Sequence, residues 1–495
     1  MKRNILDFNF INYTHNRDSH YSDISNDLFN LINHNTNKNE FIELYSYFYN
    51  RYRIPPKVTR QAVRQYLARS YLLRKGKFHS KLNLKSIPIS LLKYFTLLYS
   101  LPFFKKKKKI KHYKLIVDNI TSSHELNRFE KLINLFGINN VLCITRDIKI
   151  EKDFPKYFFY NKKLFQDIFL KDLLKSIYNE FFVGIWLILK LSIRVKINLF
   201  PITLSILHNY LSFKSIFETN KSKYLIQGKH YNTEPIKNYL FKKLGGVVST
   251  TIQKNIIQSD PIFFYIDIDI LFALGSENQK RINEYGGRVN TVKPVGSLFM
   301  EHAWFNQKHD VEKKFDIAIL GINATNAYER LDSYNKFKKD YYSMYKWLAK
   351  LSIKRPELKI VLIHHASAGK DEIEKEILSN SNVIVINKNI NSYKIAFSSK
   401  FAITYGSTMG YELNAHNLPT FFIDPGNRCS FLPDKKDSLI EAMRIESYSD
   451  LNILVDKFLK NDGLSDDLKI NFDMLCLNSS DVSKRIYQNL INQNI

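Results

Sequence analysis

The chain has 495 residues, of which 44% are hydrophobic and 14% aromatic; this is enough for two or three domains with full cores and excludes a largely disordered protein. Its three cysteines, Cys143, Cys429 and Cys476, form no CxxC pair, which argues against a disulfide scaffold or a zinc site and predicts a reducing compartment. The formal charge of +27 indicates either the lysine-rich composition of an AT-rich genome or an anionic partner, namely nucleic acid, anionic lipid or a phosphorylated substrate.

The N-terminal residues up to Tyr13 are polar and lack the apolar core of a signal peptide. The longest apolar run, from Phe181 to Leu189, ends at Lys190 and is shorter than the roughly 18 residues that cross a bilayer. The sequence therefore predicts a cytoplasmic protein without a transmembrane segment.

Residues 1–111 are predicted to form a basic helical extension, with a basic helix from Thr59 to Leu73. An apolar stretch from Ile87 to Phe104 is followed directly by five lysines, Lys105 to Lys109. This pattern is typical of a segment that lies on an anionic membrane surface, although a core helix followed by a solvated linker has the same pattern. Peripheral contact with the inner face of the membrane is therefore one of two open interpretations.

An α/β pattern begins at about residue 112 and continues to about residue 300. Tyr113 to Asp118 has the composition of a buried strand, and Ser122 with Glu125 forms a capping box that predicts a helix start. The next strand is predicted from Asn140 to Thr145, which completes a β-α-β unit. Further strands are predicted near 224–227, 247–252, 270–274 and 292–297, with a helical insertion at about 160–217.

A second α/β domain is predicted at 310–445, followed by helices at 446–495 that pack back on the molecule. Its predicted strands alternate with amphipathic helices, which predicts a parallel, doubly wound sheet. The strands are expected at 315–320, 359–364, 383–386, 401–404 and 420–423. The fold class is therefore α/β, with two Rossmann-like domains.

Ligands of open α/β sheets bind beyond the carboxyl ends of the strands. In the second domain one loop there begins at Gly406, which permits a tight turn, and Ser407 or Thr408 is placed to cap the next helix. The free N–H groups of such a helix start bind phosphate well. Gly410 would permit close approach of a ligand, and Glu412 lies one turn further. A purely structural cap with a buried glutamate has the same spacing.

Two other loops are predicted at the same edge. Gly321 and Asn323 follow the first strand of the second domain, and His364 and His365 end the next one. A histidine there could donate to a phosphate or a ribose, or it could be an ordinary residue at a strand end. Three such loops on one edge favour a nucleotide-binding site.

The stretch from Tyr405 to Leu413, followed by Asn417-Leu418-Pro419-Thr420, resembles the donor-domain signature of GT-B glycosyltransferases, in particular of bacterial surface-carbohydrate and capsule biosynthesis proteins. In that family a Gly commonly stands at the position of Asn417. The first domain is similar from Gly228 to Gln253. There the family often has Gln-His-Gly, whereas this chain has Gln253-Lys254-Asn255, which departs from the pattern at the His. The resemblance covers about residues 112–445. It implies two domains that face a cleft, with the nucleotide sugar bound to the second and the acceptor to the first.

An inverting transferase of this kind needs a general base from its acceptor domain. Asp118, His124 and His230 are the candidates at strand exits. His230 is favoured because its loop contains a glycine and because imidazole titrates near neutral pH. The chain lacks the Glu-x7-Glu spacing of some retaining enzymes after Glu412, which also favours inversion.

Positive charge at the leaving phosphate is predicted to come from Arg330, Lys370 or Arg428 in place of a metal. Asp267-Ile268-Asp269 imitates an Asp-x-Asp metal motif, but short acidic pairs arise by chance. Gly369-Lys370 lacks the remainder of a P-loop, and there is no dinucleotide-binding Gly-x-Gly-x-x-Gly. The prediction is therefore no metal and no cofactor, with a nucleotide sugar as co-substrate.

The sequence thus favours a glycosyltransferase that moves a sugar from a nucleotide sugar to a surface polysaccharide or a lipid-linked glycan. A nucleotide-sugar epimerase or a polyol-phosphate transferase of the same fold is an alternative. A non-enzymatic, basic nucleic-acid-binding protein is a further alternative because of the +27 charge. No recognition-helix or aromatic RNA-binding motif supports specific nucleic-acid binding.

Overall fold

The computed structural model describes residues 21–73, 110–145, 148–161, 178, 183–230, 233–254, 265–276, 282, 286–305, 311–322, 334–365, 371–386, 391–426, 443–460 and 475–492. Four predicted site residues, Asn323, Arg330, Lys370 and Arg428, and the predicted membrane segment 87–109 lie outside these residues.

The first sheet has seven strands in the order β3-β2-β1-β4-β5-β6-β7, and every neighbouring pair is parallel. The apolar runs Leu115 to Val117 and Val141 to Ile144 are buried on both faces of this sheet, and so is Val248–Ile252, although it contains Ser and Thr. The strands are β1 Lys111–Ile120, β2 Val141–Thr145, β3 Phe158–Asn161, β4 Asn220–Gln227, β5 Val248–Ile252, β6 Asp267–Ala273 and β7 Arg288–Pro294.

The second sheet has six parallel strands in the order β10-β9-β8-β11-β12-β13. In both sheets the first strand of the chain lies in the interior. The next two strands are added on one side of it and the later strands on the other side, as in doubly wound nucleotide-binding folds. Two Rossmann-like domains are confirmed. The strands are β8 Phe315–Leu320, β9 Ile360–Ile363, β10 Ile384–Ile386, β11 Ser399–Thr404, β12 Thr420–Ile423 and β13 Arg444–Ile445.

Helices cover both sheets. In the first half they are α1 Tyr21–Thr36, α2 Asn39–Tyr52, α3 Pro56–Leu73, α4 Ser123–Phe136, α5 Ile148–Asp153, α6 Ile185–Val195, α7 Phe200–Thr219 and α8 Pro235–Lys243. In the second half they are α9 Leu298–Met300, α10 Tyr334–Lys354, α11 Glu372–Leu378, α12 Ser392–Phe397, α13 Thr408–Asn414, α14 Tyr448–Lys460 and α15 Val482–Ile491. Of the helices that the structure describes, none has the length and apolarity needed to span a bilayer.

The helices that precede β1 pack on the first sheet. Two glutamines of α3 donate to backbone carbonyls of this domain, Gln61 to Gly286 O and Gln65 to Thr233 O, each at 2.8 Å. Arg64 of the same helix is only 8% exposed, and its Nε donates to Thr36 Oγ1 at 2.9 Å. Arg64, one of the cations of this predicted basic helix, is therefore used for internal packing.

Two segments of chain connect the sheets. The turn after β7 contains Gly296, whose φ of +90° and proximity to Leu477 O exclude a side chain there. Leu477 N donates to Leu274 O at 2.8 Å at the end of β6. Helices were predicted at 446–495, but residues 475–480 are not helical. Asn478 Oδ1 accepts from Ser480 N at 3.0 Å, the kind of local bond by which Asn and Ser compete with a helix.

Candidate functional site

The two switch points, where the strand order reverses, place the predicted loops at the carboxyl edges of both sheets. In the first sheet β1 and β4 lead to Thr121 and Gly228; in the second β8 leads to Gly321. The predicted N-cap is confirmed, since Ser122 Oγ accepts from Glu125 N at 3.2 Å; Glu125 Oε2 reaches back one residue further than in a standard capping box and accepts from Thr121 N at 2.8 Å. Helix α4 therefore starts immediately beside this edge.

The loop after β11 caps the next helix as predicted, but Gly410, within that helix, has a packing role instead of the predicted ligand contact. Ser407 is the N-cap of α13 and its Oγ accepts from Met409 N at 3.3 Å, so Thr408 is the first helical residue. A Cβ on Gly410 would lie 3.0 Å from the Phe422 ring and 3.2 Å from Thr420 Cγ2. Gly410 is therefore required for packing of α13 on β12, which accounts for it without a ligand.

Glu412 lies in a buried network that joins the two halves of the chain. It is 3% exposed and accepts hydrogen bonds from Ser297 Oγ, after β7, and from Tyr393 OH at 2.5 Å. Burial raises the pKa of this carboxyl group above its usual value. This arrangement argues against the predicted contact between Glu412 and a donor nucleotide.

His230, the base favoured from sequence, is fully buried. Its Nδ1 accepts from Lys254 N at 3.2 Å, and burial lowers its pKa to about 3. Asp118 is 5% exposed and forms an ion pair with Lys237 Nζ at 2.5 Å. Neither side chain is placed to take a proton from an acceptor, so the preference for His230 is not supported by its position.

His124 is the accessible candidate among the three predicted bases. It lies in the first turn of α4, with its ring centroid 6.1 Å from that of His302. Partial burial lowers its pKa, and the neighbouring Arg128 lowers it further. The imidazole is therefore neutral at pH 7, the state in which it accepts a proton.

Positive and protonatable side chains from both sheets surround this edge. The term cationic cluster is used here for Arg128, Lys229, Lys254, His124, His302 and His365. The guanidinium carbon of Arg128 is 3.1 Å from the Phe299 ring centroid, and Lys254 Nζ is 5.4 Å from the same centroid. Besides burial, the charge of Lys254 lowers the pKa of His365 at the end of β9. The cluster is therefore built from both domains.

Lys254 shows how strongly these charges act on one another. Burial lowers the pKa of its ammonium group to about 8, and the charges of Lys229 and Arg128 contribute. Glu125 has the opposite effect, but it already forms an ion pair with Lys229. Cations held this close together repel one another, and an anion bound between them would offset that repulsion.

His364 and the acidic pair occupy different places. His364 Nε2 is 2.5 Å from Glu374 Oε1, which fixes the orientation of its ring at the carboxyl end of β9. Asp267 and Asp269 lie at the amino end of β6, the opposite edge, where they pair with Arg288 and Lys242 at 3.1 and 2.7 Å. In the described part of the chain, no group of three or more His, Cys, Asp or Glu side chains is arranged to hold a metal ion.

Four residues of the cluster were not predicted from the sequence. Arg128 lies one helical turn after His124 on α4, a spacing that puts both on one face. Lys229 directly precedes the predicted His230, and Lys254 is the residue at which the chain departs from the family's Gln-His-Gly. The fourth, His302, lies just after α9, and no local pattern distinguishes it.

No family model matches the chain, and no curated protein matches it. Similar solved structures include S. aureus MnaA with UDP, at 12% identity and a TM-score of 0.45, covering 77% of this chain and 99% of that one. A UDP-GlcNAc 2-epimerase from Neisseria meningitidis bound to UDP-GlcNAc has 9% identity and a TM-score of 0.43, covering 78% and 100%. A glycosyltransferase from Rickettsia africae has 11% identity and a TM-score of 0.45, covering 77% and 100%.

Proposed function

We propose that the chain binds a nucleotide-activated sugar at the cationic cluster and transfers the sugar to a glycan or lipid-linked acceptor. The supporting observation is that Arg128 and Lys254 of the first domain contact the same Phe299 ring, and that the charge of Lys254 acts on His365 at the end of β9 in the second domain. The diphosphate of a nucleotide sugar supplies the negative charge that this arrangement lacks.

The cluster also suits the chemistry of transfer. An acceptor hydroxyl attacks the anomeric carbon, the bond from that carbon to the phosphate oxygen breaks, and the electron pair leaves with the nucleoside diphosphate. Arg128 and Lys254 stabilise the charge that develops there. His124, neutral at pH 7, takes the proton of the hydroxyl. The phosphate site predicted at Ser407 and Thr408 remains part of this proposal.

A thermal-unfolding screen against nucleoside diphosphates and their sugar conjugates tests the binding step. At a ligand concentration 100 times Kd, a binding nucleotide stabilises the native protein by about 2.7 kcal/mol. Lys254→Gln should reduce this stabilisation, whereas Lys346→Gln on the exposed side of α10 should not. Absence of stabilisation by every nucleotide, or equal stabilisation of the Lys254 variant, would contradict the proposal.

Product analysis separates the reaction classes. Incubation with the sugar nucleotide alone should leave the sugar configuration unchanged, and transfer should require an added acceptor. A change of configuration at C2 without acceptor would identify an epimerase instead. A phosphodiester-linked polyol product would identify a polyol-phosphate transferase.

Binding should depend on pH through Lys254. Because the pKa of its ammonium group is about 8 in the free protein, the group is charged below that pH and neutral above it. Affinity for a nucleoside diphosphate is therefore expected to fall between pH 7 and pH 9.5, and binding at pH 8 should take up protons. Titration calorimetry in buffers of different ionisation enthalpy measures this uptake. Lys254→Arg, which stays charged, should abolish the uptake; if it does not, another group is responsible.

A further inference from the structure

Helix α6 has two apolar sides, and one of them faces solvent. Ile188, Leu191 and Val195 point inwards and are fully buried. On the other side Trp186 is 72% exposed and Ile193 is 57% exposed. Single exposed apolar residues are normal, but a helix with apolar side chains on both sides has a second apolar environment to satisfy.

The adjacent helix α2 extends this surface. Glu43 of α2 forms ion pairs with Lys190 and Arg194 of α6, at 3.2 and 3.6 Å, so the two helices lie side by side. Next to Glu43, Ile42 is 49% exposed, and Tyr49, two turns later, is 46% exposed. The name Trp186 face is used here for Val183, Trp186, Ile193, Ile42 and Tyr49.

Cations lie among these apolar side chains. The side chains of Lys190 and Arg194 are 51% and 53% exposed although both pair with Glu43. Lys196 at the end of α6 and Arg53 after α2 are exposed as well, and the guanidinium of Arg53 lies 5.9 Å from the Tyr49 ring centroid. Aromatic and aliphatic side chains among Lys and Arg match the boundary of an anionic bilayer, where rings enter and long cationic chains reach headgroups.

We propose that the Trp186 face docks the protein on the surface of an anionic lipid bilayer. The charge of the chain, +27, complements such a surface over a longer range. Docking requires no bound nucleotide and so stands independently of the proposed sugar transfer. It also differs from the anchor predicted at 87–109, because the residues that enter the lipid belong to α6 and α2.

Tryptophan fluorescence tests the orientation directly. The chain has three tryptophans, of which Trp304 stacks on Phe397 at 4.1 Å and Trp347 is partly buried. With vesicles of equal parts phosphatidylglycerol and phosphatidylcholine brominated in the upper acyl chain, Trp186 should be quenched. Trp186→Phe keeps an aromatic ring and should still sediment with the vesicles, but it should lose the quenching, because the remaining Trp304 and Trp347 do not enter the lipid.

Co-sedimentation with the same vesicles tests the affinity. Trp186→Glu combined with Ile193→Glu should weaken partitioning by about tenfold or more, because charge replaces inserted apolar surface. Ile453→Glu, at a side chain 64% exposed on α14, is the matched control and should bind like wild type. Thermal unfolding should confirm that all variants are folded.

The proposal would be overturned by no sedimentation of the wild type with anionic vesicles, by equal sedimentation of wild type and double variant, or by unquenched Trp186 in a bound protein. Equal binding to pure phosphatidylcholine would remove the role of the cations and likewise contradict it. A wild-type dimer that the double variant dissociates, without lipid binding, would assign the face to a second copy of the chain.

Discussion

Arg128→Gln is expected to weaken nucleoside diphosphate binding by roughly one to two orders of magnitude, because charge-assisted hydrogen bonds to phosphate contribute about 1.5–3 kcal/mol each. Arg128 lies between the domains: besides burial, its charge lowers the pKa of His124 and His302 in the first domain, and it also acts on Glu412 in the second. Its charge therefore acts on side chains of both domains, as a cation that contacts a ligand bridging the two sheets would.

Two controls make this result specific. Arg128→Lys keeps the charge but loses the planar donor fork, so its affinity should fall between those of wild type and Arg128→Gln. Arg355→Gln removes an arginine that pairs with Glu357 and Asp456 on the outside of the second domain, and its nucleotide affinity should not change. Calorimetric titration at fixed salt gives the dissociation constants of the wild type and the three variants. Wild-type affinity in Arg128→Gln would remove Arg128 from the site.

The sheets were predictable because parallel strands covered on both faces are short apolar runs. Thr420 to Ile423 was predicted with its observed bounds. Asn417, where the similar family commonly has Gly, has the left-handed conformation that a Gly would adopt easily, with φ of 60°. Strand β3 was not predicted because Phe158–Asn161 is four residues long and only partly apolar. Strand β13 has two residues, Arg444 and Ile445, which no periodicity can indicate.

The site was less predictable because burial depends on tertiary packing. His124 and His230 both follow a strand of the same sheet, and their local sequences give no reason to expect that one is accessible and the other buried. Gly410 has the spacing of a ligand contact, yet Phe422 and Thr420 across the helix–strand contact account for it. Lys254 and His365 are 111 positions apart in sequence. Their charges come together because the carboxyl edges of the two sheets face each other in the fold.

Asp118→Ala is expected to lower the free energy of unfolding by about 3–5 kcal/mol, because it leaves a buried ammonium group without its counter-ion. The side chains of Asp118 and Lys237 are 6% and 1% exposed, and they join β1 to α8 at 2.5 Å. The loss arises from the unpaired charge more than from the pair itself. Lys237→Met should therefore also destabilise, and the combination Asp118→Leu with Lys237→Met should recover most of the stability.

Denaturant unfolding of these variants measures the coupling between the two residues. Lys156→Met, which breaks the exposed pair with Glu130, is the matched control and should leave stability nearly unchanged.

Turnover measured on an Asp118→Asn variant decides between a structural and a catalytic role of Asp118. A structural ion pair predicts that Asp118→Asn loses stability while the folded fraction keeps its turnover. A catalytic base predicts wild-type stability with turnover abolished and nucleotide affinity retained, and that result would restore Asp118 as the proton acceptor in place of His124.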